Sequence, residues 1–312
     1  MSQRAANHFA DRLVAAVHQR GNPALVGLDP RYEQLPESIR VGTKSKAAAY
    51  RTFCEGVIDA VADIVAVVKP QSAFFEQLGP PGMRVLWQVV RYAQKRGLLV
   101  IIDAKRGDIG STAAAYAEGF LGHGRKSPWS GDALTVNPYL GGDSLEPFVS
   151  TAKARGAGVF VLVKTSNPGS RLFQDLVAEG RPVYRHVAEH VEALAKQSVG
   201  KCGYGIVGAV VGATHREQAA ELRAAMPHTW FLVPGYGSQG AKAADVAGTF
   251  DEHGLGAIVN SSRAIIFAHE RAEYAHFGPA RWQEAVAAAT RDMIAELRAE
   301  TPAGRLSQAA SQ

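Results

Sequence analysis

Leu98-Leu99-Val100-Ile101-Ile102-Asp103-Ala104-Lys105-Arg106-Gly107-Asp108 passes in one step from unbroken aliphatic residues to alternating charge. A short continuous apolar run of this kind fits a strand buried on both faces, as in a parallel sheet. The same pattern recurs at Ala24–Leu28, Ile64–Lys69, Ala133–Val136, Gly158–Val163, Gly205–Val211, Trp230–Val233 and Ala257–Asn260, so Leu98–Asp103 is one of eight such runs. Ala-rich stretches with helical spacing separate them: Thr43–Ala62, Pro80–Arg96, Ser144–Arg155, Val183–Gln197, Thr214–Met226 and Gln239–Ala247. Pro80–Arg96 opens on two prolines and stops at Gly97, the asymmetry that helix ends favour. A further helix, Ala6–Arg20, precedes the first strand, and another, Ala280–Ala299, follows the last.

Alternating strands and helices predict an α/β fold with a parallel sheet, and eight repeats favour closure into a (β/α)8 TIM barrel. The expected organisation is a single domain with extra N- and C-terminal helices. Residues 1–21 form an N-terminal helix packed on the barrel, 22–299 the catalytic barrel, and 300–312 a flexible tail. Asn167–Arg181, the longest connection without periodicity, contains Asn-Pro-Gly and reads as a loop over the site.

Composition narrows the function. The chain has 312 residues, 46% apolar and 20% charged, ordinary values for a globular protein. Its 34 Lys+Arg against 29 Asp+Glu give a dispersed net charge of +5, which suits small anionic ligands and contains no basic run that would suggest nucleic acid. Two cysteines, Cys54 and Cys202, can build neither a disulfide scaffold nor a four-thiolate metal site. The start of the chain lacks the apolar core of a secretory signal, and no stretch approaches the ~18 apolar residues of a membrane span. A cytoplasmic protein is expected.

Barrel enzymes carry their chemistry at the C-terminal ends of the strands. The first three runs end in or lead to Asp29, Lys69, and Asp103 with Lys105 and Asp108. Charges there border a packed interior and are costly unless paired, so alternating signs imply a network. Such a network holds a lysine charged and ready to donate a proton. An isolated Asp-x-Lys is more often an ordinary ion pair, with Asp108 capping the next helix; Asp29 and Lys69 on neighbouring strands shift the balance toward chemistry. A second cluster suits an anion. Gly235-Tyr236-Gly237-Ser238-Gln239-Gly240 follows the seventh run, and Ser261-Ser262-Arg263 follows the eighth. Glycines admit backbone N–H groups to a phosphate, and Arg263 adds a forked donor. Other residues invite plainer readings. His215 suits a cap or the surface, Cys54 packing, and Tyr116 and Phe120 the core face of a helix. The histidines lack metal-ligand spacing, and Gly203-Tyr204-Gly205 lacks the following helix of a dinucleotide site.

Asp103-Ala104-Lys105-Arg106-Gly107-Asp108-Ile109-Gly110-Ser111-Thr112 resembles the Asp-x-Lys-x-x-Asp signature of the orotidine 5′-phosphate decarboxylase family. Thr165-Ser166-Asn167-Pro168-Gly169 and Pro234–Gly240 are similar to its longer bacterial branch, the type 2 subfamily. The resemblance runs from Leu28-Asp29 to Arg263. It implies Lys105 as proton donor to C6 of the pyrimidine, Asp103 beside the substrate carboxylate, and Lys69 in the network and on the ribose. It implies a ribose contact from Asp29 and a pyrimidine contact from Ser166, with the 5′-phosphate held by Gln239 and Arg263. It further implies an obligate homodimer in which Asp108 and Thr112 reach the neighbouring subunit's site. Asn137 receives no role, and the region 167–204 is longer than compact relatives need.

The implied reaction is loss of CO2 from orotidine 5′-monophosphate to give uridine 5′-monophosphate, in de novo pyrimidine (UMP) biosynthesis. It uses neither cofactor nor metal, so fixed charge must stabilise a carbanion that no carbonyl delocalises. The rival within the superfamily is a magnesium-dependent phosphosugar decarboxylase or aldolase, for which Glu76 is the nearby candidate ligand. A non-catalytic phosphate-ligand-binding barrel is the rival from another class. No nucleic-acid or membrane partner is expected.

Overall fold

Eight parallel strands close on themselves in the computed structural model of the chain, which describes residues 8–122, 127–237 and 240–306. The strands are β1 (Ala24–Leu28), β2 (Val67–Pro70), β3 (Leu99–Arg106), β4 (Ala133–Val136), β5 (Gly158–Lys164), β6 (Val207–Val211), β7 (Phe231–Val233) and β8 (Ala257–Ser261). Each pairs with its sequence neighbours, and β1 pairs with β8 through Ala24↔Val259 to complete the ring. β1, β2, β4, β6, β7 and β8 are buried at every position, which is why their sequences are mostly apolar runs rather than alternating ones, with Lys69, Thr135, Asn260 and Ser261 as buried polar residues among them.

The longer helices are α1 (Phe9–Arg20), α2 (Lys46–Val61), α3 (Gly79–Lys95), α4 (Gly110–Phe120), α5 (Gly142–Arg155), α6 (Val183–Lys196), α7 (Arg216–Ala225) and α8 (Trp282–Glu300). α2 starts after Ser45, whose hydroxyl accepts from the Ala48 N–H at 3.2 Å, three residues later than the expected start at Thr43. α1 closes the bottom of the barrel. Phe9 packs edge-on against Phe160, and a Cβ at Gly158 would lie 2.2 Å from the Phe9 ring, so only glycine admits the contact. Arg12 pairs with the buried Asp132 at 2.6 Å, and Asp132 also accepts the Val100 N–H.

Several expectations need correction. The helix expected at Gln239–Ala247 is confined to Ala243–Val246, because Gly240 takes a left-handed φ of 92° and Ala241 bridges back to Tyr236. Gln239 itself lies outside the described residues. The tail expected from residue 300 begins as packed structure. α8 runs through Glu300, a 3-10 turn follows at Pro302–Arg305, and Ala303 and Leu306 are buried. Tyr116 is partly exposed rather than core, with the Arg106 guanidinium 5.6 Å over its ring. Among the described residues no helix is long and apolar enough to cross a membrane.

Candidate active site

The C-terminal ends of the strands surround a cavity of about 1060 Å³. Its floor is built where β3 departs from regular pairing. Ile102 faces Leu134 and Arg106 faces Val136, so Asp103, Ala104 and Lys105 all stand opposite the one residue Thr135. This is a β-bulge, a device that re-aims side chains beside active sites. Within it Lys105 adopts φ of +48°, a left-handed conformation that β-carbon sterics disfavour in a non-glycine residue.

The bulge brings three charges together. Asp103 accepts from Lys69 Nζ at 2.8 Å through one oxygen and from Lys105 Nζ at 2.6 Å through the other. Two neutral donors complete its shell, Gln71 Nε2 at 3.1 Å and Thr135 Oγ1 at 2.8 Å. Burial works against the Asp103 charge, but Lys69 and Lys105 outweigh it and hold the carboxyl well below the usual range. Burial likewise opposes the charge of Lys69, and attraction to Asp103 and then Asp29 overcomes it, raising that lysine above its ordinary value. Lys69 is almost fully enclosed and the Lys105 side chain is 45% exposed; both border the cavity. Both ammonium groups therefore face the ligand space, Lys105 the more openly.

Asp29, Ser166 and Arg263 also line the cavity. Asp29 Oδ1 is buried with no hydrogen-bond partner among the described residues, as are Asn260 Oδ1 and Ser170 Oγ, which border the same space. Buried orphan polar atoms at one cavity suit groups that a ligand would satisfy. Ser166 reaches the wall because a glycine follows β6: a Cβ on Gly212 would lie 2.8 Å from the Ser166 backbone nitrogen. Arg263 starts a short helix after β8 and faces both this cavity and a neighbouring polar recess of about 560 Å³.

Asp108 and Thr112 stand apart. Asp108 accepts the Ile109 N–H at the entry to α4, Thr112 is exposed, and neither borders the cavity of its own chain. Glu76 is held by Arg106 and Ser72 and is not a wall residue, so it is not available to the magnesium-dependent rival without breaking that pair. Among the described residues no group of three or more His, Cys, Asp and Glu side chains has metal-ligating geometry. His215 sits at the start of α7 but caps nothing; its Nε2 lies 3.1 Å from the Thr165 carbonyl, and burial lowers its pKa.

Sequence reasoning missed Gln71 and Thr135, and gave Asn260, at the end of the eighth run, no role. Their residue types carry no charge, and only their position at a strand end could have marked them. It also missed the clamp on the loop over the site. Lys164, fully buried, pairs with Asp175, and the Gln174 amide accepts the Thr165 N–H at 2.9 Å and donates to its hydroxyl at 2.8 Å. Residues 166–173 are thereby tied at both ends, with Phe173 6.4 Å from Tyr139 across the mouth.

Fold and site together define a class: a barrel enzyme whose Asp-x-Lys-x-x-Asp centre is displayed at the end of its third strand. The chain belongs to the orotidine 5′-phosphate decarboxylase / HUMPS family, which it matches over residues 25–276. It is 54% identical over 298 residues to the orotidine 5′-phosphate decarboxylase of Rhodopirellula baltica, covering 93% of this chain and 99% of that one. Identity to the Deinococcus radiodurans enzyme of the same name is 45% over 261 residues, 83% of this chain and 89% of the other. The solved structure of Leishmania donovani OMP decarboxylase superimposes with a TM-score of 0.74 at 33% identity, covering 94% and 98% of the two chains.

Proposed function

We infer that the chain is a carboxy-lyase that converts orotidine 5′-phosphate to uridine 5′-phosphate and CO2, the UMP-forming step of pyrimidine biosynthesis. The observation that carries this reading is the close relationship to decarboxylases of that name, joined to a carboxylate held between two ammonium groups at the cavity floor.

The residues suggest the course of the reaction. The bond from C6 to the carboxyl carbon breaks and leaves its electron pair on C6, where no carbonyl can delocalise it. Lys105 opposes that charge by Coulomb attraction and then transfers a proton from Nζ to C6. The neutral amine regains its proton from water. Fixed charges act here without the reorganisation that water would need. Asp103 faces the departing carboxylate and keeps Lys105 charged. Lys69 neutralises Asp103 from below and contacts the ribose with Asp29. Ser166 reads the pyrimidine edge, while Arg263 and Gln239 hold the phosphate. Binding energy at that remote group can draw the clamped loop over the base, so substrates without phosphate should lose turnover as well as affinity.

The acting unit in this reading is a homodimer. Asp108 and Thr112 would complete the network of the neighbouring subunit. Gly107 packs on Asn137, bringing their two loops together, and Ile109, Tyr139 and Leu140 expose apolar surface there. That surface supports a partner on this face. The cytoplasm is the setting we propose, in keeping with two free thiols at Cys54 and Cys202.

The test is a spectrophotometric assay of purified protein with orotidine 5′-phosphate, with and without chelator. Loss of the substrate's absorbance, unaffected by chelator, is the expected result. Inert protein, or turnover abolished by chelation and restored by magnesium, would overturn the reading.

A further inference from the structure

Thr135 makes two bonds that have no substitute in the bulge. Its hydroxyl accepts the Lys105 N–H at 2.9 Å and donates to Asp103 Oδ1 at 2.8 Å, and its side chain is buried. The direction of these bonds is forced. An ionised carboxylate only accepts, so the hydroxyl proton points to Asp103, leaving an oxygen lone pair for the backbone amide. In a regular parallel ladder that amide would bond to a carbonyl of β4. The bulge displaces it, because Asp103, Ala104 and Lys105 together face Thr135 alone. The side-chain oxygen stands in for the missing carbonyl.

We propose that Thr135 is a positioning residue of the catalytic centre: it pins Lys105 in its left-handed backbone conformation and couples that conformation to the Asp103 carboxylate. A non-glycine residue at φ of +48° persists only where its surroundings over-determine it. Of the groups bonded to Asp103, Thr135 is the one that also binds the Lys105 backbone. Releasing the amide relaxes the bulge toward extended pairing, and that relaxation turns the lysine away from the cavity. Thr135 borders the cavity floor, but its hydroxyl is committed to Asp103 and the Lys105 amide rather than to a ligand, so its loss acts on the chemical step and spares affinity. The claim about rate rests on the decarboxylase reading; the claim about backbone geometry does not.

The experiment pairs Thr135→Val, which keeps the shape and removes both bonds, with Thr135→Ser, which keeps the hydroxyl. Thr135→Ala carries the same test with less bulk if the valine protein does not fold. Each is crystallised, and each is assayed with orotidine 5′-phosphate beside the unaltered protein. Without the hydroxyl, Lys105 should leave positive φ, and kcat should fall on the order of 10- to 100-fold with KM little changed. Thr135→Ser should keep the bulge and recover most of kcat. An unmoved Lys105 backbone in the valine or alanine variant overturns the pin, whatever the kinetics. A moved backbone with full kcat, a loss confined to KM, or a serine variant as slow as valine overturns its catalytic consequence. Unaltered protein inert on the substrate would sink the reading of the reaction, while the crystal structures still decide the pin.

Discussion

Asp103→Asn keeps the shape of the central side chain and removes the negative charge that two ammonium groups share. Lys69 then lies almost fully buried, 2.8 Å from a neutral amide, with Asp29 as its remaining acidic neighbour. Removing one partner of a buried pair costs about 3–5 kcal/mol, because an uncompensated charge remains. Lys105 adds little to that cost, since its side chain is 45% exposed and water screens it. Asp29 and loss of the Lys69 proton absorb part of the remainder, so the lower end, about 3 kcal/mol, is the expected destabilisation. At about 2–3 °C per kcal/mol for a domain of this size, Tm should fall by about 6–9 °C.

The pH dependence gives the sign. Asp103 has a lowered pKa in the folded state, so its contribution is present above the unfolded value of about 3.9 and is lost as pH falls toward the folded one. Lys69 has a raised pKa, so its contribution is present below about 10.4 and is lost as pH rises through the folded value. The gap in Tm between the unaltered protein and Asp103→Asn should therefore be level near neutrality and narrow below about pH 4. Adding Lys69→Met to Asp103→Asn should recover most of the lost stability, because an apolar side chain leaves no charge to compensate. Scanning calorimetry across pH measures all three. Equal Tm values at pH 7, or a gap that widens in acid, would refute the argument from buried charge.

Arg263→Ala should raise KM for the phosphorylated substrate on the order of 10- to 100-fold, the loss of a charge-assisted phosphate contact, as steady-state kinetics would record. Asp108→Ala and Lys105→Ala should each be inactive alone. If sites are shared between subunits, mixing the two under conditions of subunit exchange should restore activity, because one site of each hybrid is native; exchange without recovery would count against the shared site. Phe9→Ala should lower stability by about 3–4 kcal/mol in chemical denaturation, through the void left against Phe160 and Gly158. Activity at 25 °C should be unchanged, since α1 closes the end of the barrel opposite the cavity.

The barrel was legible because β1, β4 and β8 are buried along their whole length, so the sequence shows short aliphatic runs with little ambiguity. Element ends were less legible. The helix after β7 shrank to Ala243–Val246 because Gly240 and the Tyr236 bridge depend on backbone geometry that periodicity does not encode. Charges at strand ends were the readable part of the site, since an ionised side chain beside a core demands a partner: Lys69, Asp103 and Lys105 do meet. Thr135 and Gln71 were not readable. A threonine in Ala-Leu-Thr-Val is ordinary strand sequence, and its significance arises only from the register shift that sets three residues of β3 against it. Lys164 closes β5 as one more strand-end charge, yet its burial and its pairing with Asp175 depend on the fold of the loop.

The most direct test is product formation by Lys105→Ala at saturating orotidine 5′-phosphate, measured on protein whose affinity for uridine 5′-phosphate has first been shown by titration calorimetry to persist. Turnover should fall by at least about 10³-fold, because both the charge opposite C6 and the proton that quenches it are gone. Turnover within about tenfold of the unaltered protein would contradict the account, since a general acid in this role contributes more than that.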